Sequence, residues 1–223
     1  DKILENLFLV ATLDSRAFHL ESIKLNGGKF SQGDNSIIWE GKDVARLRFL
    51  GRGEEGKVEF WVDVKEEIEI FSPQDKELVL KNRILLSDAS AEFELKLASN
   101  LVIEQKGFFQ DDVFGNQGTH PAAVGQRNTY TIIWQAKNSY NDAQNARVKA
   151  KLPNGVELTG KIFPEDSVLT FDSASREIVW EIGDLAAGTG FFEELPGPSV
   201  AFQIAFTPTS DHRGKVAELV GEA

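Results

Sequence analysis

Residues 171–180 read FDSASREIVW, and this stretch decides the fold because it has a counterpart earlier in the chain. The counterpart, residues 30–39, reads FSQGDNSIIW, and its Phe30 and Trp39 lie 141 positions before Phe171 and Trp180. Each stretch is followed by an alternating apolar run, at residues 58–64 and 200–206. The chain is therefore predicted to be a tandem repeat with a period of about 141 residues.

The size and composition of the chain fit two ordinary domains. The 223 residues carry a net charge of −11 and contain neither cysteine nor methionine. Excess negative charge argues against nucleic acid as a partner, and the missing cysteines exclude a disulfide framework and a thiol nucleophile. No apolar run approaches the ~20 residues that span a membrane, and the sequence contains no signal peptide. We place the domains at residues 1–99 and 100–223.

Short alternating segments separated by turn residues predict an all-β protein of two tandem Greek-key sandwiches. Residues 5–13 are apolar on both faces, which predicts a covered outer face for this strand. Residues 91–97 also read as a strand, in which Phe93, Leu95 and Leu97 lie on the face opposite Glu92, Glu94 and Lys96. The same alternation directs Trp61 outward from its strand, whereas Trp39 and Trp180 are predicted core residues.

The repeat is out of phase with the domains. If the second domain begins near Leu101, the corresponding start of the first would lie about 40 residues before Asp1. Residues 91–99 of the first domain project onto positions beyond Ala223. The first domain is thus expected to lack its opening strands and the second its last strand.

Two motifs in the second half resemble a known family. Residues 138–156 read NSYNDAQNARVKAKLPNGV, and residues 180–188 read WEIGDLAAG. They are similar to the immunoglobulin-like conserved repeat of bacterial and archaeal cell-surface proteins, although Tyr140 stands where that family usually has glycine. The resemblance implies immunoglobulin-like sandwiches, an extracellular location and a place in a surface array, stalk or surface layer. It implies no catalytic residues.

Few residues suggest chemistry. His19, His120 and His212 lie in unrelated segments without metal-ligand spacing, and nucleophile and phosphate-loop motifs are absent. Asp111, Asp112 and Asn116 form the sharpest local hypothesis, because clustered oxygen ligands in a glycine-bearing loop suit calcium. A solvated acidic loop is the alternative, and no other cofactor is expected. Trp61 is the candidate for ligand binding.

Three functions remain open at this point. The first is a non-enzymatic spacer or assembly module of a repetitive surface protein, whose partners are neighbouring repeats or other surface proteins. The second is an adhesin or a glycan- or protein-binding module that uses an exposed aromatic residue such as Trp61 or the loop at residues 110–126. The third is a strand-complemented subunit of a surface polymer, in which the incomplete first domain and its strand at residues 7–13 accept strands from another chain.

Overall fold

The computed structural model describes residues 4–72 and 75–223 and confirms the all-β class. Every strand pairing is antiparallel, and the described helical structure is limited to two single 3-10 turns, Ala45–Leu47 and Ser210–His212. The chain divides into two compact units. Unit 1 holds Asp1–Phe71 and Glu77–Ala98, and unit 2 holds Ser72–Lys76 and Ser99–Ala223.

Unit 1 is built around a five-stranded sheet. Its described strands are β1 (Leu4–Glu5), β2 (Leu9–Asp14), β3 (Phe18–Asn26), β4 (Lys29–Ser31), β5 (Ser36–Trp39), β6 (Phe49–Leu50), β7 (Glu59–Val64), β8 (Val79–Leu86) and β9 (Ala89–Lys96). The main sheet has the order β4-β5-β2-β8-β9, while β3 pairs with β7 and β1 with β6. Ala11, Leu13, Ile37 and Trp39 form the centre of its core.

Unit 2 consists of two sheets that share one apolar core. Its described strands are β10 (Leu101–Phe108), β11 (Asn128–Asn138), β12 (Ala143–Lys151), β13 (Val156–Phe163), β14 (Val168–Asp172), β15 (Glu177–Leu185) and β16 (Ser199–Phe206). One sheet has the order β10-β11-β16-β13 and the other β12-β15-β14. Trp134 and Phe202 from the first sheet pack with Val148, Ile178 and Trp180 from the second. This arrangement is a β-sandwich.

The repeat read from the sequence is also a repeat of hydrogen-bonded register. Phe30 lies opposite Ile37 in the β4-β5 hairpin, and Phe171 lies opposite Ile178 in the β14-β15 hairpin, 141 positions later in both strands. Strand β2 runs beside β5 as β12 runs beside β15, with an offset of 139 between Ala11 and its counterpart Ala150.

The second sheet of each unit follows the same rule. Strand β7 pairs with β3 as β16 pairs with β13, and both pairs carry an irregularity at the corresponding place. The offset between Phe60 and Phe202 is 142. The two units therefore share one five-strand topology, in which β2, β3, β4, β5 and β7 correspond to β12, β13, β14, β15 and β16.

Strands beyond this shared set differ between the units. Unit 1 adds β8 and β9 beside β2, and unit 2 adds β10 and β11 beside β16. In residues 215–223 the structure has bends and irregular backbone. The Gly221 N–H nevertheless donates to the Lys151 carbonyl oxygen at 2.9 Å, so this tail lies along the edge of β12 that faces away from β15.

Candidate strand-acceptor site

One edge of β7 in unit 1 has no partner strand within residues 4–72 and 75–223. Strand β7 pairs with β3 alone, whereas its counterpart β16 lies between β13 and β11. Eight register pairs join β16 to β11, from Asn128 opposite Phe206 to Gln135 opposite Ser199. Because a sheet edge presents a row of N–H and C=O groups, the β7 edge is a template for one more strand.

The direction of the peptide groups along β7 follows from its bonds to the β3 side. Lys65 donates its N–H to the Ala17 carbonyl oxygen at 2.8 Å, and Asp63 donates to the Ser22 hydroxyl at 2.7 Å. In an antiparallel strand, successive peptide groups alternate between the two edges. The N–H groups that point to the open edge are those of Phe60, Val62 and Val64.

Core positions next to this edge are less buried in unit 1 than in unit 2. Phe202 is fully buried, but its counterpart Phe60 is only half-buried. At the end of the strand, Val64 is 39% exposed and its counterpart Phe206 is 4% exposed. Phe60 and Val64 are more exposed than their counterparts because the space that β10 and β11 fill in unit 2 is open in the described part of unit 1.

The inner face of β8 and β9 is a second uncovered surface. Pairing with β2 puts Ile84 opposite Ala11, and hence on the core side of the sheet. Pairing of β8 with β9 then puts Leu95 opposite Leu80, and Phe93 opposite Asn82, on that same side. Phe93 and Leu95 are nevertheless 61% and 63% exposed. We call the apolar side chains of this face (Leu80, Ile84, Leu86, Ala91, Phe93 and Leu95) the β8-β9 face.

Unit 2 shows which kind of segment occupies the corresponding space. Strand β11 directs Ile132, Trp134 and Ala136 into the core, where all three are buried. The Trp134 ring contacts the Phe202 ring edge-on with centroids 4.9 Å apart, and its Nε1–H donates to Gln105 of β10 at 2.6 Å. Two adjacent strands with one alternating apolar face thus complete this side of the sandwich.

The structure shows the surroundings of the segments at residues 91–97 and 7–13, which the sequence left open or predicted differently. Residues 91–96 belong to strand β9, whose apolar face is on the core side, and Phe93 and Leu95 are exposed because no described strand of unit 1 lies over them. Residues 7–13 were the expected strand acceptor, yet β2 is paired on both edges, with β5 and β8. Its outer face is also not fully covered, since Phe8 is exposed. The open edge belongs to β7.

A short sequence match links the last residues of unit 2 to the start of β8 in unit 1. Glu77-Leu78-Val79 leads into β8, and the same three residues recur as Glu218-Leu219-Val220, again 141 positions later. Leu219 and Val220 pack against the unit 2 core. The tail of unit 2 therefore lies beside β12 as β8 lies beside β2, and the three-residue match was the signal that could have found this placement.

The predicted calcium residues lie in unit 2, where Asp111 is a hydrogen-bond hub. Its carboxylate accepts from the N–H groups of Val113 and Phe114 at 2.8 and 2.9 Å, from the Thr131 hydroxyl at 2.6 Å and from the Asn116 amide. Burial alone would raise the pKa of Asp111, but these hydrogen bonds outweigh it and lower the pKa below its usual value. The cluster ties the loop after β10 to β11.

The surroundings of the other two predicted calcium ligands, Asn116 and Asp112, are relevant to the calcium prediction. The Asn116 side-chain oxygen accepts from Gln203 Nε2 at 2.9 Å, and Asp112 is exposed. Among the described residues, no group of three or more acidic, histidine or cysteine side chains could hold a metal ion. Calcium binding by Asp111, Asp112 and Asn116 stays a prediction, and a rise of the unfolding midpoint in about 1 mM calcium would support it.

Two of the three histidines share a cavity of about 460 Å³ in unit 2. His120 stacks on Phe109, and His212 meets the Phe206 ring edge-on with centroids 5.1 Å apart. The Nδ1 atom of His212 accepts the Thr209 N–H at 3.1 Å. Sequence spacing could not find this proximity, because the loop before β11 and the segment after β16 meet only in the folded unit.

Trp61 lies on the outer face of β7 and is 56% exposed, while the other three tryptophans are buried. Its neighbours on the strand, Phe60 and Val62, pack toward the core. A large exposed aromatic ring can stack on a sugar or another planar ligand. It is therefore the tryptophan available for the binding role considered above.

Comparisons with known proteins add no identity to this geometry. The chain matches no protein-family model, and no curated protein is significantly similar to it in sequence. Within the described ranges, no helix is long and apolar enough to cross a membrane.

Proposed function

We propose that this chain is a non-enzymatic structural module of a repetitive cell-surface protein, built from tandem immunoglobulin-like sandwiches that act as spacers or assembly units. The observation that carries the proposal is the shared five-strand topology with matching registers in the two units. Repetition of one stiff architectural unit in a chain sets length or provides repeated contact surfaces. The resemblance of residues 138–156 and 180–188 to motifs of surface repeats supports the proposal.

An in-phase extension of the chain tests the spacer role. Because residues 218–220 match residues 77–79 in sequence, residues 1–222 can be joined to residues 82–223 without changing the 141-residue period of the sequence. A spacer gains one folded unit, and the maximum dimension from small-angle X-ray scattering should increase by about 30 Å, the length of a nine-residue strand. The matched control joins residues 1–222 to residues 90–223, which breaks the phase by eight residues. An in-phase chain that folds without becoming longer would contradict the proposal.

A second function, the binding of glycans or planar ligands, is favoured by the exposure of Trp61. Ligand stacking on this ring should change tryptophan fluorescence in a Trp61-dependent way, because the other three tryptophans are buried. The experiment is a glycan titration of the full chain beside Trp61→Ala. The exposed Phe71→Ala is the matched control. A saturable signal that is lost only in Trp61→Ala would favour the binding module over the spacer.

A further inference from the structure

We propose that unit 1 is an acceptor for the strand pair that corresponds to β10 and β11 of another repeat of this kind. The first of the two incoming strands would bind the open edge of β7, and the pair would cover the β8-β9 face. This inference rests on the proposed function, because the donor is another repeat. It names the partner segment and the surface that receives it.

Unit 2 supplies the first argument, since it contains the completed form of the same site. Its β11 joins β16 through eight register pairs, and the corresponding edge of β7 presents the N–H groups of Phe60, Val62 and Val64. In unit 2, the residues at these three positions (Phe202, Ile204 and Phe206) lie opposite Ile132, Tyr130 and Asn128 of β11. An incoming strand of the same length therefore finds matching partners along β7.

The surface that the incoming strands would cover is apolar. The β8-β9 face is continuous with the unit 1 core and includes Phe93 and Leu95, both more than 60% exposed. In unit 2, strand β11 buries Ile132, Trp134 and Ala136 in the space next to β16. A strand with that alternating apolar face would remove the same kind of surface from water in unit 1.

The spacing of residues along the chain also fits this arrangement. Ala11 and Ala150 correspond with an offset of 139, so Asp1 corresponds to Tyr140, and the residue that precedes Tyr140 is Ser139. A second copy of residues 99–139 placed directly before Asp1 therefore carries β10 and β11 in the spacing that they have in unit 2. The added copy can therefore be joined to Asp1 without extra linker residues.

The experiment compares residue-resolved amide exchange in the full chain with and without this added copy. In the extended chain, the amides of Phe60, Val62 and Val64 should exchange at least 100-fold more slowly. The Asp63 and Lys65 amides already donate on the β3 side and are internal controls. The matched control carries Ile132→Asp and Trp134→Asp in the added copy only, and it should leave the three amides unprotected.

A second readout does not depend on the β7 edge. The Phe93→Ser and Leu95→Ser double substitution should leave the unfolding equilibrium constant of the original chain within threefold. In the extended chain, it should increase that constant at least tenfold, because the two side chains are then covered. An equal effect in both chains would overturn the proposal.

Two further experimental results would contradict the inference. Protection of the β7 amides that grows with protein concentration in the original chain, with a doubled mass and with the β11 amides still protected, would show that a second copy covers the edge with a segment other than β10 and β11 and would contradict the inference. Unchanged exchange in the extended chain would do the same. Neither result depends on the scattering measurement of the in-phase chain, so failure of the spacer proposal and failure of the acceptor proposal can be told apart.

Discussion

Asn138 is a buried polar residue that fixes the turn after β11. Its amide nitrogen donates to the carbonyl oxygens of Asn141, Leu185 and Ala186 at 2.8–3.0 Å. One side chain thus ties the end of one sheet to the end of a strand in the other. This residue begins the first motif that resembles surface repeats, and its contacts give that motif a structural meaning.

Loss of the Asn138 amide should destabilise unit 2. The buried Leu185 carbonyl would lose the Asn138 donor, whereas the exposed Ala186 carbonyl keeps the Thr189 hydroxyl, and an unsatisfied buried polar group costs about 1–3 kcal/mol. Asn138→Ala should therefore lower the free energy of unfolding by roughly 1–3 kcal/mol, and Asn138→Asp by at least as much, since a carboxylate would face three carbonyl oxygens. Urea unfolding measures the change. The exposed Asn154→Ala is the matched control and should have little effect; a loss of equal size there would contradict the prediction.

Asp111 should make stability depend on pH in the acidic range. Its hydrogen bonds lower the folded-state pKa below the value of about 3.9 expected in the unfolded chain. The ionised carboxylate therefore stabilises the folded state at neutral pH, and this contribution is lost as the pH falls through the lowered pKa. Asp111→Asn should be less stable than the original chain at pH 7 by roughly 1–2 kcal/mol.

Urea titrations at several pH values measure this difference. It should shrink below about pH 4, because the original chain then loses its own ionised group. The exposed neighbour provides the control, since Asp112→Asn should change stability little at any pH. A pH-independent difference between Asp111→Asn and the original chain would rule out the electrostatic explanation.

Among the strands, β9 and β16 differ in what lies over an apolar face. Phe93 of β9 is exposed, and Phe202 of β16 is fully buried against Trp134. Phe93→Ser should change the free energy of unfolding by less than about 0.5 kcal/mol, whereas Phe202→Ala should lower it by about 3–5 kcal/mol. Urea unfolding followed by tryptophan fluorescence measures both. A loss above about 2 kcal/mol for Phe93→Ser would mean that its ring is packed in solution.

The hairpin containing Trp39 and that containing Trp180 were the elements most open to prediction. Aromatic and β-branched residues at a fixed spacing specify both the strands and the turn, so sequence reasoning recovered the correspondence between Phe30 and Phe171 and its period. The turn residues agree: Asn35 and Arg176, 141 positions apart, both have positive φ angles, 52° and 59°.

Sequence reasoning could not assign the neighbours of each strand. A period of two tells which side chains share a face, but it contains no information on what covers that face or which strand lies at the edge. The alternation therefore put Phe93 and Leu95 on one face of their strand, but it could not tell that this face is exposed. The Asp111 cluster depends on Thr131 and, through Asn116, on Gln203, residues that are distant in sequence and meet only after the sheet has formed.

For the whole molecule, net charge and exposed apolar surface act in opposite directions. A charge of −11 at pH 7 keeps molecules apart, and the repulsion vanishes near the sequence pI of about 4.8. Solubility should therefore reach its minimum near that pH. The Phe93→Ser and Leu95→Ser double substitution should raise solubility there, because the β8-β9 face is less apolar.

Ultracentrifugation of samples equilibrated between pH 4 and pH 8 would measure this solubility. Glu92→Asp and Glu94→Asp on the opposite side of β9 serve as the control, since they leave both the apolar face and the net charge intact. If the serine variant precipitates as the original chain does, the β8-β9 face does not drive association.

The three offsets between the units, 139, 141 and 142, have a practical consequence for engineering. Unit 2 has two more residues between Ala150 and Phe171, and one more between Trp180 and Phe202, than unit 1 has at the corresponding places. These length changes leave the paired registers of β4-β5 and β14-β15 identical. The connections therefore tolerate changes in length, and the exposed turn at residues 51–56 is a natural position for grafting a tag or a foreign epitope.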